Sequence, residues 1–265
     1  MSKLFLVSTG PGDPALLTPM AREAIEASTD LVAYGLYIDL LKGLCAGKTR
    51  HDLPLGEEIN RAKLALNLAS SGRNTALLSS GDIGIFAMAT LVFELLDGEI
   101  TQAKTGQSNT HSPWLGIDIE VIPGVSAMQA NASSVGALLG HDFCAISLSD
   151  LLTPWQTIEK RIHCAGEGDF VISFYNPVSK KRNWQLNTAR DILLTYRPEN
   201  TPVVLGRNLT REDQSIAHTT LKKLDAADVD MFTCVSIGNS ESRHIINPKT
   251  NTQWVYTPRG YSKKL

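Results

Sequence analysis

The stretch LFLVSTGPGDPALLTP, residues 4–19, is the most telling part of this 265-residue chain. Its first five residues, four apolar and a closing serine, have the length and pattern of a buried strand. Gly10-Pro11-Gly12-Asp13-Pro14 then interrupts regular structure. Thr18-Pro19 supplies a side-chain cap and a first-turn proline, which opens a helix running to about residue 28. Strand, glycine turn and helix make the repeating unit of a parallel sheet covered by helices.

The unit recurs downstream. Residues 31–34 repeat the strand signal, and residues 59–70 carry a helical stripe at Ala62, Leu66 and Ala69 that stops before Gly72. Residues 75–78 are a third strand, followed by Ser80-Gly81-Asp82-Ile83-Gly84 and an apolar helix over 86–96. Residues 98–116, rich in Gly, Thr, Gln, Ser and Asn, read as a surface loop. Then come a strand over 117–122, a Pro123-Gly124 turn and a helix of small residues over 126–139. A second set begins at Phe143: strands near 143–147, 170–175, 202–206 and 232–237, with helices near 155–165 and 184–196. The expected fold is α/β in two lobes, 1–122 and 123–265, each a β-sheet flanked by helices.

Composition narrows the function. A formal net charge of -2 lacks the basic excess of a nucleic-acid binder. No stretch approaches the roughly 18 apolar residues of a membrane span. The cysteines at 45, 144, 164 and 234 have neither zinc-ligand spacing nor the pattern of a disulfide framework, so no metal is expected and the reducing cytoplasm is the expected compartment. The glycine loops match no common nucleotide motif. A GxGxxG run would need glycine at Ala15, and no Gly-Lys-Ser/Thr is present.

Three strand-to-helix loops nevertheless share one design, in which glycine allows close approach of a ligand to backbone at a strand end. They are Gly10-Pro11-Gly12-Asp13-Pro14, Ser80-Gly81-Asp82-Ile83-Gly84 and Pro123-Gly124-Val125-Ser126-Ala127. The strand ending in Phe174-Tyr175-Asn176-Pro177 leaves an aromatic and an amide at a sheet edge. Lys180-Lys181-Arg182 before a helix, with Arg207 after a later strand, are candidate partners for an anion. His141 beside Asp142 is a candidate acid/base pair, against the bland alternative of a structural histidine.

These residues carry a resemblance over nearly the whole chain. The three glycine loops, with Leu16-Leu17-Thr18, resemble those of the tetrapyrrole methylases, enzymes of corrin and sirohaem synthesis that use S-adenosylmethionine. Gly140-His141-Asp142-Phe143, Ser147 to Trp155, Phe174-Tyr175-Asn176-Pro177, Gly238-Asn239-Ser240 and Thr257-Pro258-Arg259-Gly260-Tyr261 are similar to the ring-contracting branch that methylates C17 of a precorrin in cobalamin synthesis. The resemblance implies the two-lobed fold with the cofactor between the lobes, a tetrapyrrole substrate and a homodimer. Residue by residue it implies cofactor contacts at Pro11, Gly81, Asp82, Ile85, Ser126, Ala127, Tyr175, Asn176 and Asn208. Lys180, Lys181, Arg182 and Arg207 would meet the substrate's carboxylates, and His141 and Asp142 would move protons. Ile83 stands where the family usually has proline. Gly35 stands where uroporphyrinogen methylases carry an aspartate, which argues against that specificity. A methylase acting at C11 or C20, or a non-catalytic tetrapyrrole-binding protein, stays open as an alternative.

Overall fold

The computed structural model describes residues 3–105, 112–179, 182–261 and 264. The chain divides into two compact units, Met1–Ser126 and Ala127–Leu265.

In the first unit the strands are β1 (Lys3–Ser8), β2 (Asp30–Ala33), β3 (Thr49–Asp52), β4 (Thr75–Ser79) and β5 (Asp118–Ile122), in the order β3-β2-β4-β1-β5. Every pairing is parallel. Strand periodicity sorts the core onto two faces. Phe5, Val7, Leu31, Ala33, Ala76 and Leu78 point to one face, where α1 (Pro19–Ala27) and α2 (Gly35–Leu40) pack with Ala21, Ile25 and Ile38. Leu4, Leu6, Val32 and Leu77 point to the other and meet α3 (Glu58–Ser70) and α4 (Met88–Thr105) through Ala62, Leu66, Val92 and Leu96. The chain thus leaves the neighbouring strands β1 and β4 towards opposite sides of the sheet. That divergence opens a crevice at their carboxyl ends, where open α/β sheets bind ligands.

The helix α1 begins as expected, with Thr18 Oγ1 accepting the N–H of Ala21 at 3.2 Å. The expected loop over 98–116 is corrected at both ends. Helix α4 continues through Gly98 to Thr105, because Gly98 is solvent-facing while Val92 and Leu96 hold the packed stripe. Residues 113–116 form a 3-10 turn pinned to α3 by the Trp114 indole donating to Asn67 Oδ1. Residues 106–111 lie outside the described set.

In the second unit a sheet of order β10-β9-β11-β8-β7 is built from β7 (Phe143–Ser147), β8 (Val171–Tyr175), β9 (Pro202–Arg207), β10 (Ser215–Thr220) and β11 (Thr233–Ile237). Helices α6 (Trp155–Glu167) and α7 (Gln185–Leu193) share one core with it. Only β7 and β8 pair in parallel; β8-β11, β11-β9 and β9-β10 are antiparallel. The β-sheet expected in this lobe is present, with mixed pairing. Residues 208–214 are too short a connection for a crossover, so β10 returns as a hairpin partner of β9. A small sheet completes the unit, with β6 (Gly136–Ala137) beside the hairpin β12 (Arg243–Ile246) and β13 (Gln253–Tyr256). The small-residue helix α5 (Ala127–Val135) stops earlier than expected, because Gly136 takes φ +131 and leads into β6.

Candidate functional site

At the carboxyl edge of the first sheet the three glycine loops are laced together. Gly10 and Gly81, at φ +71 and +72, exchange backbone hydrogen bonds of 3.1 and 2.7 Å, a bridge in a conformation that only glycine adopts without strain. Asp82 ties the second loop to the third, one carboxylate oxygen accepting from the N–H of Gly84 at 2.8 Å and the other from that of Gly124 at 3.0 Å. Ser8, fully buried at the end of β1, donates to the carbonyl of Ile122 at 2.6 Å and accepts from the N–H of Ile83 at 2.8 Å. A proline at Ile83, the usual residue of the resembling family, would lack that N–H. Ile83 is also wholly buried, so the position serves the core as well as the loop. Gly124 packs so closely that a β-carbon there would lie 2.5 Å from Ser8 Cβ. These contacts assign the loop 123–126 to the first unit.

These loops carry acidic side chains and no basic ones. Residues 9–14, 80–86 and 123–126 contain Asp13 and Asp82 but no Lys, Arg or His. The negative charge they hold favours a cationic group, such as a sulfonium or an ammonium, beside them.

In the second unit the ends of β7, β8 and β9 share one edge. The Tyr175 hydroxyl accepts from the N–H of Met128 at 3.1 Å, which places the start of α5 beside it. Asn176, at φ +51, donates to Ser147 Oγ at 3.1 Å and presents an exposed side chain. Arg182 is buried. It donates to the carbonyls of Leu148 at 3.1 Å and Asn176 at 2.6 Å, and its Nε stands 3.7 Å from Asp150. Burial lowers its pKa from the ordinary value, and Asp150 partly offsets this. This corrects the expectation of a cation offered to substrate: Arg182 is a clip that joins the loops after β7 and β8. Arg207 is likewise engaged, its Nε 2.7 Å from Asp230 and its NH1 3.7 Å from Asp213. Asn208, largely buried at φ +47, donates to Asp213 at 2.6 Å. Lys180 and Lys181 lie outside the described residues.

His141 and Asp142 do not join this edge. They precede β7, whereas Asn176 follows β8, so a five-residue strand, about 13 Å long, separates them. They line a cavity of about 330 Å³ with Asp169, Ser240, Glu241 and Arg259. His141 Nδ1 accepts the N–H of Asp142 at 2.8 Å, so its 3.3 Å approach to the Asp142 carboxylate is proximity rather than a hydrogen bond. The two side chains are 43% and 79% exposed, which leaves them in water rather than in the dry surroundings that tune a catalytic pair. The expected acid/base pair is therefore separated from Tyr175, Asn176 and Asn208.

Sequence reading missed Ser8, Ser147 and Asp150 as organisers of these edges. Ser8 carried a signal, since a polar residue ending a buried strand must find partners. Among the described residues no group of His, Cys, Asp and Glu could hold a metal ion. No described helix is long and apolar enough to cross a membrane.

Comparison with known proteins agrees with this geometry. The chain is 41% identical to a precorrin-3B C(17)-methyltransferase of Sinorhizobium sp over 259 residues, covering 98% of this chain and 97% of that protein. It is 40% identical to a probable cobalt-factor III C(17)-methyltransferase of Salmonella typhimurium, covering 98% and 99%. A crystal structure of the methyltransferase CobJ superposes with a TM-score of 0.86 at 36% identity, covering 97% of this chain and all of that one. Residues 3–225 match the tetrapyrrole (corrin/porphyrin) methylases, and with three cation-free glycine loops meeting at one sheet edge the chain belongs to that family of methyltransferases.

Proposed function

We propose that this protein transfers a methyl group from S-adenosylmethionine to C17 of precorrin-3B or its cobalt form, with ring contraction, in cobalamin biosynthesis. The observation that carries the reading is the laced set of cation-free glycine loops in a chain that matches C17-methyltransferases along almost its entire length.

S-adenosylmethionine, when bound, supplies an electrophilic methyl on sulfur. The chain's part is orientation and exclusion of water, so that a ring carbon meets the methyl in line; such positioning lowers the barrier without a covalent enzyme intermediate. Pro11, Gly81, Asp82, Ile85 and Ser126 of the first unit, with Ala127, Tyr175, Asn176 and Asn208 of the second, are the residues assigned to the cofactor. Asp82 acts there chiefly by holding Gly84 and Gly124 in place. Lys180 and Lys181 are assigned to the substrate's carboxylates. Arg207, paired with Asp230 and Asp213, offers less free charge. The working form is a cytoplasmic homodimer.

The test is direct. Purified protein is incubated with methyl-labelled S-adenosylmethionine and either precorrin-3B or its cobalt form. Label at C17 of the macrocycle is expected, and the two substrates distinguish the metal-free from the cobalt route. Label at C11 or C20 would assign the chain to a different methylase, and no label with either substrate would overturn the assignment.

A further inference from the structure

The loop after β7 ends in two leucines that no core accounts for. Leu151 and Leu152 are 86% and 98% exposed, the two most exposed large apolar side chains among the described residues. The loop that carries them is not slack. On one side Ser149 N–H donates to Ser147 Oγ at 3.3 Å, and Asp150 accepts from Gln185 Nε2 at 3.1 Å while facing Arg182. On the other, Pro154 accepts the N–H of Thr157 at 2.9 Å to start α6, and Trp155 packs edge-on against Trp184 with ring centroids 4.8 Å apart. Two apolar side chains are thus held in water by a loop clipped at both ends. Such a rigid presentation is costly unless something covers it.

Resting on the methyltransferase reading above, we propose that Leu151 and Leu152 form an apolar bearing for one face of the tetrapyrrole ring and set its position for methyl transfer. Continuity fixes the place. Leu148 N–H donates to the carbonyl of Tyr175 at 2.9 Å, and Arg182 links Leu148 to Asn176, so the leucine loop rises from the same edge as the residues assigned to the cofactor. Size fixes the occupant. Two side chains fall far short of the roughly 800 Å² per partner that a stable protein interface buries. They suit a ring whose flanks are charged and whose faces are apolar. The carboxylates of such a substrate would stay at its rim, away from the leucines.

The experiment compares wild type with Leu151→Ser/Leu152→Ser and with Leu151→Met/Leu152→Met. Both variants should fold like wild type, since the substituted side chains touch no core, and a melting temperature checks this. For the serine pair, KM for precorrin-3B or its cobalt form should rise about tenfold or more, as expected for two lost apolar contacts. Its Kd for S-adenosylhomocysteine should stay within about twofold of wild type, while the methionine pair keeps most of the substrate affinity. If wild type transfers methyl and the serine pair shows an unchanged KM, the bearing does not exist. If the serine pair instead changes sedimentation from dimer to monomer, the leucines serve a second copy of the chain and the proposal is wrong. Absence of transfer by wild type would overturn the parent reading instead, and is distinguished by being independent of the leucines.

Discussion

Gly124 has no space for a side chain. A methyl there would press on Ser8 Cβ at 2.5 Å and on the carbonyl oxygen of Gly81 at 3.0 Å, and neither can yield, since Ser8 is fixed by two hydrogen bonds and Gly81 by its bridge to Gly10. Gly124→Ala should cost about 1–3 kcal/mol by overpacking. Urea denaturation would read that loss, and the affinity for S-adenosylhomocysteine should fall with it. Asp82→Asn tests the clasp differently. Its amide would turn one acceptor into a donor facing a backbone N–H, for a loss of about 1.5–3 kcal/mol for a hydrogen bond to a charged group. If Asp82 served the ligand alone, unfolding of the free protein would be unchanged. At this scale the sequence was partly readable. The glycines of the three loops announced close approaches, but which atom each approaches depends on Ser8 and Asp82, whose partners lie far away in the chain. The basic residues misled for a related reason: charge is visible in a sequence, and its neutralisation by Asp150, Asp213 or Asp230 is not.

Two element-level arrangements make the fold sensitive to acid. Asp30 opens β2 with its side chain fully buried. Burial alone would raise its pKa, but hydrogen bonds from Thr29 and His51 and the charge of Arg73 outweigh that, leaving it below the ordinary 3.8. The stability from the ionised carboxylate is therefore complete above about pH 4 and is lost as pH falls through the folded-state value. Asp30→Asn should lower the urea midpoint at pH 7 and flatten its decline below pH 4. In the second unit His218 of β10 stacks on His244 of β12, with ring centroids 5.0 Å apart and planes 3° from parallel, and its Nδ1 is buried without a hydrogen bond. Burial, then the neighbouring imidazole, holds the pKa of His218 below 6.5. The unfolded chain takes up a proton before the folded one does, so stability is full above about pH 6.5 and declines as pH falls toward the folded value. His218→Phe should remove much of that slope between pH 7 and 5.5. The strands carrying these pairs were hard to see. Residues 49–52, 215–220 and 243–246 are polar or exposed along most of their length, so they show neither the apolar run nor the alternation by which β1, β4 and β9 were legible.

At the scale of the whole molecule, each unit has cores of its own, and each has one edge assigned to the cofactor and another that is not. Composition and loop spacing pointed to glycine edges, but Gly140 to Phe143 and Ser147 to Trp155 were read together as carriers of one resemblance, because neighbours in sequence look like neighbours in space. The strand β7 separates them: His141 and Asp142 lie at its start, and Ser147 to Leu152 at and beyond its end. Amide hydrogen exchange with and without S-adenosylhomocysteine tests this division over the entire chain at once. Protection should rise in peptides covering residues 9–14, 80–86 and 123–126 of the first unit, and 127–128, 175–176 and 207–208 of the second, because ligand binding suppresses local opening where its contacts fall. Peptides covering 140–142, 239–241 and 259–260, which line the cavity at the opposite edge, should exchange at unchanged rates. Protection confined to the first unit would remove Tyr175, Asn176 and Asn208 from the cofactor assignment. Protection at 140–142 would restore His141 and Asp142 to it. His141→Ala provides the kinetic counterpart: with its ring a strand's length from Asn176, methyl transfer should continue at a rate within about threefold of wild type, well under the roughly 10²–10⁴-fold that loss of a general acid or base costs.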